Sequence, residues 1–303
     1  MAIQTVRANV NGTWHNLTYN SGNGRWEATI NAPGATSYNQ PNGYYNVQVE
    51  ATNTAGTTGS ASGATLEGLR LVVKETVAPV ITIQSPSNGA VITNNQQPVT
   101  FTVTDEAGGS GVDLSSVVVK LDNNTVASSE ITHSAITNGY SFVYTPATAL
   151  SDGQHTVTIT ASDNDGNAAT AKSTTFKVDT VPPALNILNP VEGYISATGT
   201  VNYNGTTNDI TSSPVTMAVT LNSQAQSAPT VGSGGAFSGT FSGLEDGDYT
   251  AVFTATDSAG KSSTVTRHFV VDTSVPVIQS ATITPNPVDA GATMLISVQI
   301  VES

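Results

Sequence analysis

The sequence has no cysteine in 303 residues. Disulfide scaffolds, iron–sulfur clusters, thiol catalysis and cysteine-based zinc sites are therefore excluded. Charge is also scarce, at 10% of residues, against about 25% in an ordinary soluble chain. The basic side is the poorer one: Lys plus Arg number 9 and Asp plus Glu 22, for a net charge of −13. A chain this acidic lacks the basic face that nucleic-acid phosphates require. No stretch approaches the roughly 18 consecutive apolar residues of a membrane span, so no membrane insertion is expected. The opening MAIQTVRANV has no basic stretch leading into an apolar core, so no signal peptide is visible. No segment shows the apolar spacing of an amphipathic helix.

Period-two alternation of apolar residues with Thr, Ser and Asn is what the sequence does contain. Val99–Thr104 reads VTFTVT, Val157–Thr160 follows suit, and Val252–Ala255 does so less regularly. Such segments put one face in a core and one in water, and β-branched residues suit that surface. Asn-Gly at 11–12, 42–43 and 138–139 and Asp-Gly at 152–153, 165–166 and 246–247 punctuate them. Strands separated by turns every 8–12 residues predict antiparallel sandwiches.

A repeat is legible. Residues 152–163 are followed by Gly166-Asn167 and the linker VDTVPP at 178–183; residues 246–257 by Gly260 and VDTSVP at 271–276; residues 42–53 by Gly56 and Leu71–Pro79. Each copy reads as the last two strands of a sandwich, a glycine-containing loop between them, and a proline-terminated linker. Proline lacks an N–H and so ends sheet pairing. With the segments TASDNDGNA (160–168) and TATDSAGKS (254–262), these linkers make the chain resemble tandem bacterial immunoglobulin-like domains, which occur in surface adhesins and phage structural proteins. The resemblance implies an all-β fold of immunoglobulin-like sandwiches in an extended rod, outside the cell or on a virion, with no enzymatic activity. It is far less specific for function than for fold.

The repeat divides the chain into 1–75, 76–180, 181–273 and 274–303. The first segment begins at what matches the third strand of the full repeats, so it is read as lacking strands A and B. The tail reads as strands A and B alone. Met294, Ile296, Val298 and Ile300 share one strand face, an aggregation hazard if left uncovered. One reading is complementation, in which Ile283, Met294, Ile296, Val298 and Ile300 of one copy dock on Ile3, Val6 and Val10 of the next. Strand addition of this head-to-tail kind builds a homo-oligomeric ring or filament. The other reading makes residues 1–75 a small five-stranded sandwich and the tail a frayed end.

Candidate chemistry is sparse. No Gly-x-Ser-x-Gly elbow or metal-spaced histidine pair occurs, and His15, His133, His155 and His268 are read as strand-surface residues. The densest oxygen cluster is Asp163-Asn164-Asp165-Gly166-Asn167, a composition that suits Ca2+ and equally suits a solvated Asx-Gly turn. The resemblance implies a calcium ion held by Asp163, Asp165 and Asn167 together with the linker Asp179. Asp257 with Asp272, and Asn53 with Glu75, are thinner copies, while Asp105, Glu106 and Glu302 end B strands and can approach the same regions. Trp14 and Tyr38 are candidates for stacking on surface glycans. Other virion proteins are alternative partners. Trp26 is read as core, with Ala28 and Ile30 on its face.

Overall fold

The computed structural model describes residues 2–302. It divides into two compact units, one ending at Val178 and one beginning at Asp179.

In the first unit, β1 (Ile3–Val10), β2 (Thr13–Asn20), β3 (Arg25–Glu27), β4 (Tyr45–Asn46), β5 (Gln48–Asn53), β6 (Thr58–Ser62) and β7 (Arg70–Leu71) come first. They form one sheet of order β3-β2-β1-β5-β6 and a short β4–β7 pair. The five strands thus share a single layer rather than two. Val6 pairs with Leu17 on one side and Ala51 on the other, so the apolar side chains of alternate positions line up across the sheet. Tyr19 and Trp26 continue that row, with ring centroids 5.6 Å apart. Trp26 is on the apolar face but only half-buried.

A complete sandwich follows: β8 (Val80–Ser85), β9 (Val91–Ile92), β10 (Val99–Thr104), β11 (Val118–Leu121), β12 (Asn124–Thr125), β13 (Ile131–Ile136), β14 (Gly139–Tyr144), β15 (Gly153–Thr160) and β16 (Lys172–Val178). Its sheets have the orders β13-β14-β10-β8 and β12-β11-β15-β16-β9. The VTFTVT alternation of β10 buries Val99, Phe101 and Val103. Phe101 stacks on Phe142 at 4.8 Å between centroids, a spacing that adds to the area term of burial. His155 is a correction to the surface reading. It is buried in β15, with Nδ1 2.7 Å from Asp122 Oδ2 and Nε2 2.8 Å from the Ser151 carbonyl.

The second unit repeats the plan with β17 (Ala184–Asn189), β18 (Tyr194–Ser196), β19 (Thr200–Asn208), β20 (Thr216–Leu221), β21 (Gln224–Ala225), β22 (Ala236–Ser242), β23 (Gly247–Thr256) and β24 (Ser262–Val271). The sheets are β17-β19-β22 and β18-β24-β23-β20-β21. Tyr203, Phe241, Phe253 and Phe269 form the centre of its core. Gly239 leaves room for one of these rings: a Cβ there would lie 2.1 Å from the Tyr203 hydroxyl oxygen.

The unit ends in a hairpin of β25 (Pro276–Thr284) and β26 (Leu295–Glu302), exposed throughout. Ile283 pairs with Ile296, Ala281 with Val298 and Ile278 with Ile300, while Met294 directly precedes β26. The tail residues of the expected interface therefore share an exposed face. Their expected acceptors are less uniform: Ile3 is half-exposed, but Val6 and Val10 are already buried. Val10 borders a groove of about 360 Å³ lined by Ile30, Val47, Leu69, Leu71 and Val72.

Candidate metal centres

The three Asx loops named by the repeat adopt one geometry. In each, the side-chain oxygen of the first residue accepts the N–H four residues on. Asn53 Oδ1 accepts from Thr57 at 3.1 Å, Asp163 Oδ1 from Asn167 at 2.8 Å and Asp257 Oδ1 from Lys261 at 2.9 Å. Gly56, Gly166 and Gly260, all at positive φ, make the turn that only glycine takes without strain.

The expected calcium quartet is not what the structure assembles. Asp163 and Asp179 stand at opposite ends of β16, whose seven residues span about 23 Å at ~3.3 Å per residue. No single ion reaches both. Two other carboxylate groups form instead.

The first comprises Glu75, Asp105 and Glu106, each with an oxygen within 4.8 Å of the others. Glu75 belongs to the linker after β7; Asp105 and Glu106 follow β10. The loop residue Gly109 closes over them, and a Cβ there would lie 2.7 Å from Asp105 Oδ2. Gly111 N–H donates to that same oxygen at 2.7 Å, and Ser110 N–H donates to Glu75 Oε1. Glu75 Oε2 and Asp105 Oδ1 are buried, and no N–H or hydroxyl donor reaches them.

The expected ligands Asp163, Asp165 and Asn167 brace this group. Asn167 Nδ2 donates to Asp163 Oδ2 at 2.8 Å and to the Glu75 carbonyl at 3.2 Å. Asp165 Oδ2 accepts from Glu75 N–H at 3.1 Å and from the Thr36 hydroxyl. Their polar atoms are committed to holding the linker. With only protons available, the Glu106 carboxyl is raised to about 7, chiefly by its hydrogen bond to the Glu75 carboxylate, then by burial and by the charge of Asp105.

The second group is Asp179, Asp209 and Asp257, all buried, again with oxygens within 4.8 Å of one another. Asp179 opens the linker after β16, Asp209 follows β19, and Asp257 lies in the Asx loop. Asp209 Oδ1 accepts from Thr211 N–H at 2.8 Å and Ser212 N–H at 2.6 Å. Asp179 Oδ1 accepts from Val181 N–H at 3.2 Å. Asp179 Oδ2, Asp257 Oδ2 and Ser212 Oγ are buried without a partner. Among the described residues no salt bridge reaches either group. Three buried carboxylates with no counter-charge are costly, and a hard divalent cation with oxygen ligands fits the donor set.

The two sites share a rule that the sequence reading anticipates for Asp105 and Glu106 and misses for Asp209. A linker carboxylate joins the end of the B strand of the sandwich that follows it. Asp209, three residues before the segment Ser212-Ser213-Pro214, carries the signal that locates the second site: it is the B-strand counterpart of Asp105. Asp272 joins neither group. Its Oδ1 accepts from Ser274.

The aromatic candidates are separated in role. Trp14 lies in β2 with the Arg7 guanidinium 4.3 Å above its ring, and Arg7 is itself held by Glu50 at 2.7 Å. Tyr38 is half-exposed in the loop before β4, next to the first carboxylate group.

Residues 79–180 match the family model described as bacterial Ig-like domain, and residues 138–226 match bacterial Ig-like domain (group 3). Residues 183–273 match the model of glucodextranase, domain B. No curated protein matches the chain. Among solved structures, a tetra-tandem repeat from the extending region of a large adhesion protein is 20% identical and covers 98% of this chain and 80% of its own, with a TM-score of 0.36. The fibronectin(III)-like modules of Clostridium thermocellum CbhA are 12% identical, covering 63% of this chain and 94% of their own, with a TM-score of 0.37. Sidekick-1 immunoglobulin domains 1–4 are 14% identical over 89% of this chain and 68% of theirs, with a TM-score of 0.38. The repeated strand order and the Asx loops agree with the family matches: this is a chain of tandem β-sandwiches, of which residues 79–180 match a bacterial Ig-like domain.

Proposed function

We propose that the chain is an extracellular structural and adhesive spacer, not an enzyme, in which Ca2+ latches each linker to the sandwich that follows. The observation carrying this reading is the buried trio of Asp179, Asp209 and Asp257, with two orphaned carboxylate oxygens and an orphaned Ser212 hydroxyl. Glu75, Asp105 and Glu106 would hold an equivalent ion. Bound there, calcium supplies counter-charge and fixes linker direction, converting a flexible joint into a stiff one. For an adhesin or virion component, stiffness sets how far a binding surface is presented. The test is calcium titration of the full chain by calorimetry, with the Asp257→Asn variant as control. Binding that is weakened in the variant supports the reading; absence of binding to the unaltered chain removes it.

A second reading, head-to-tail assembly, is favoured by the exposed apolar face of the β25–β26 hairpin. In the two complete sandwiches the first long strand pair, β8–β10 and β17–β19, is antiparallel with a register shift, as β25–β26 is. Such a hairpin from one copy would lie over the single-layer sheet of another, beside the Val10 groove. Deleting residues 277–303 should then reduce the mass in solution. Unchanged mass would discard assembly and leave the calcium reading intact.

A further inference from the structure

The two carboxylate groups differ in access. Asp179, Asp209 and Asp257 are all buried, whereas Asp105 and Glu106 border an open cavity of about 490 Å³. Tyr38, Tyr140, Asn138 and Asn164 also line it. We infer that this cavity is a calcium-dependent binding site for a neutral saccharide with vicinal hydroxyls, an inference that rests on the calcium reading above.

Coordination chemistry provides the first argument. Ca2+ takes six to eight oxygens, including waters. Three carboxylates and the neighbouring loop leave positions to fill, and two of the three, Asp105 and Glu106, also line the cavity. Asp105, with 7% of its surface exposed, keeps Oδ1 buried and unpartnered, which leaves a demand for a cation beside the cavity. Vicinal hydroxyls replace two waters as a pair.

The walls provide the second. Tyr38 and Tyr140 offer apolar ring faces with polar tips. Tyr140 is held edge-on by His133 at 5.6 Å between centroids. The loop carrying Tyr38 is pinned by Asn39 Nδ2, which donates to the Gly109 carbonyl at 2.7 Å. Asn164 commits its Nδ2 to the Ser110 and Gly111 carbonyls, both at 2.9 Å, and its side-chain oxygen remains an acceptor for a hydroxyl. Fixed walls lower the ordering cost of binding.

Charge selects the class. Three carboxylates around one divalent ion leave a net negative site, on a chain of net charge −13. Sialylated or sulfated glycans are repelled, and neutral sugars are not.

The test is saturation-transfer NMR on the full chain with methyl mannoside, methyl galactoside and methyl fucoside, and sialic acid as the anionic comparator. It is run with calcium and with chelator, alongside calorimetric calcium titration. The expected result is transfer to a neutral glycoside in calcium, reduced about tenfold in chelator. Tyr38→Ala and Tyr140→Ala should each cause a similar loss while calcium binding stays unchanged. Tyr38 lies in an exposed loop, so its variant keeps the test informative if Tyr140→Ala fails to fold. Calcium binding without transfer to any neutral glycoside overturns the saccharide site and leaves the latch standing. Absence of calcium binding overturns both. Transfer that persists in chelator, or in both tyrosine variants, overturns the assignment to this cavity.

Discussion

Asp179 and Asp257 bring carboxylate oxygens within 4.8 Å of each other in the interior of the second unit, and each keeps one oxygen without a hydrogen-bond partner. Like charges so placed repel unless something positive lies between them. The sign of a charge-removing substitution therefore depends on calcium. Asp257→Asn retains the side-chain carbonyl oxygen that caps the Ala259 and Lys261 N–H groups and removes one charge. In chelator the variant should melt at or above the temperature of the unaltered chain. In calcium it should fall below it, because it forgoes a gain of about 2.7 kcal/mol at a hundredfold excess over Kd. Melting curves in the two conditions check the crossover.

Asn167 ties the Asx loop to the linker through the Glu75 carbonyl. Asn167→Ala should cost about 1–2 kcal/mol of stability and speed proteolytic nicking between residues 74 and 79. Denaturant titration and limited proteolysis measure the two effects separately.

His155 has both ring nitrogens against acceptors. Burial, the largest influence, pushes its pKa down; the Ser151 carbonyl and the Asp122 carboxylate together outweigh it, and the net value is raised. A histidine raised above its unfolded value of about 6.5 contributes stability in full below that pH and loses it as pH rises through the folded value. The denaturation midpoint should accordingly fall as pH rises above about 6.5, and Asp122→Asn should flatten that fall.

Phe253 is fully buried among Tyr203 and Phe241. Phe253→Ala should destabilise its sandwich by about 3–5 kcal/mol, read as a lower melting transition. Trp14→Ala removes an exposed ring beneath Arg7 and should shift stability by less than about 1 kcal/mol.

These contrasts show what the sequence discloses. Alternation in β10, β19 and β23 sufficed for the strands and the sandwich class, because a residue's face follows directly from its parity. The Asx loops were equally legible, since the Asx residue and its glycine are local. Partnerships across strands were not. Pairing Asp163 with Asp179 rests on the resemblance alone, and the extended β16 carries the two to opposite ends of the sandwich. Recognising Asp209 requires knowing that B strands end where linkers begin. His155 was read as a surface residue because its partner Asp122 enters from a turn that no short-range pattern connects to it.

The central claim is that buried carboxylates are paired by calcium at the start of each sandwich. Calorimetric titration of the chelator-treated full chain with Ca2+ tests it most directly. The account predicts binding at two sites, one of them lost in Asp257→Asn and the other in Asp105→Asn, with a rise in melting temperature that chelator reverses. No heat of binding and an unchanged melting temperature would contradict it.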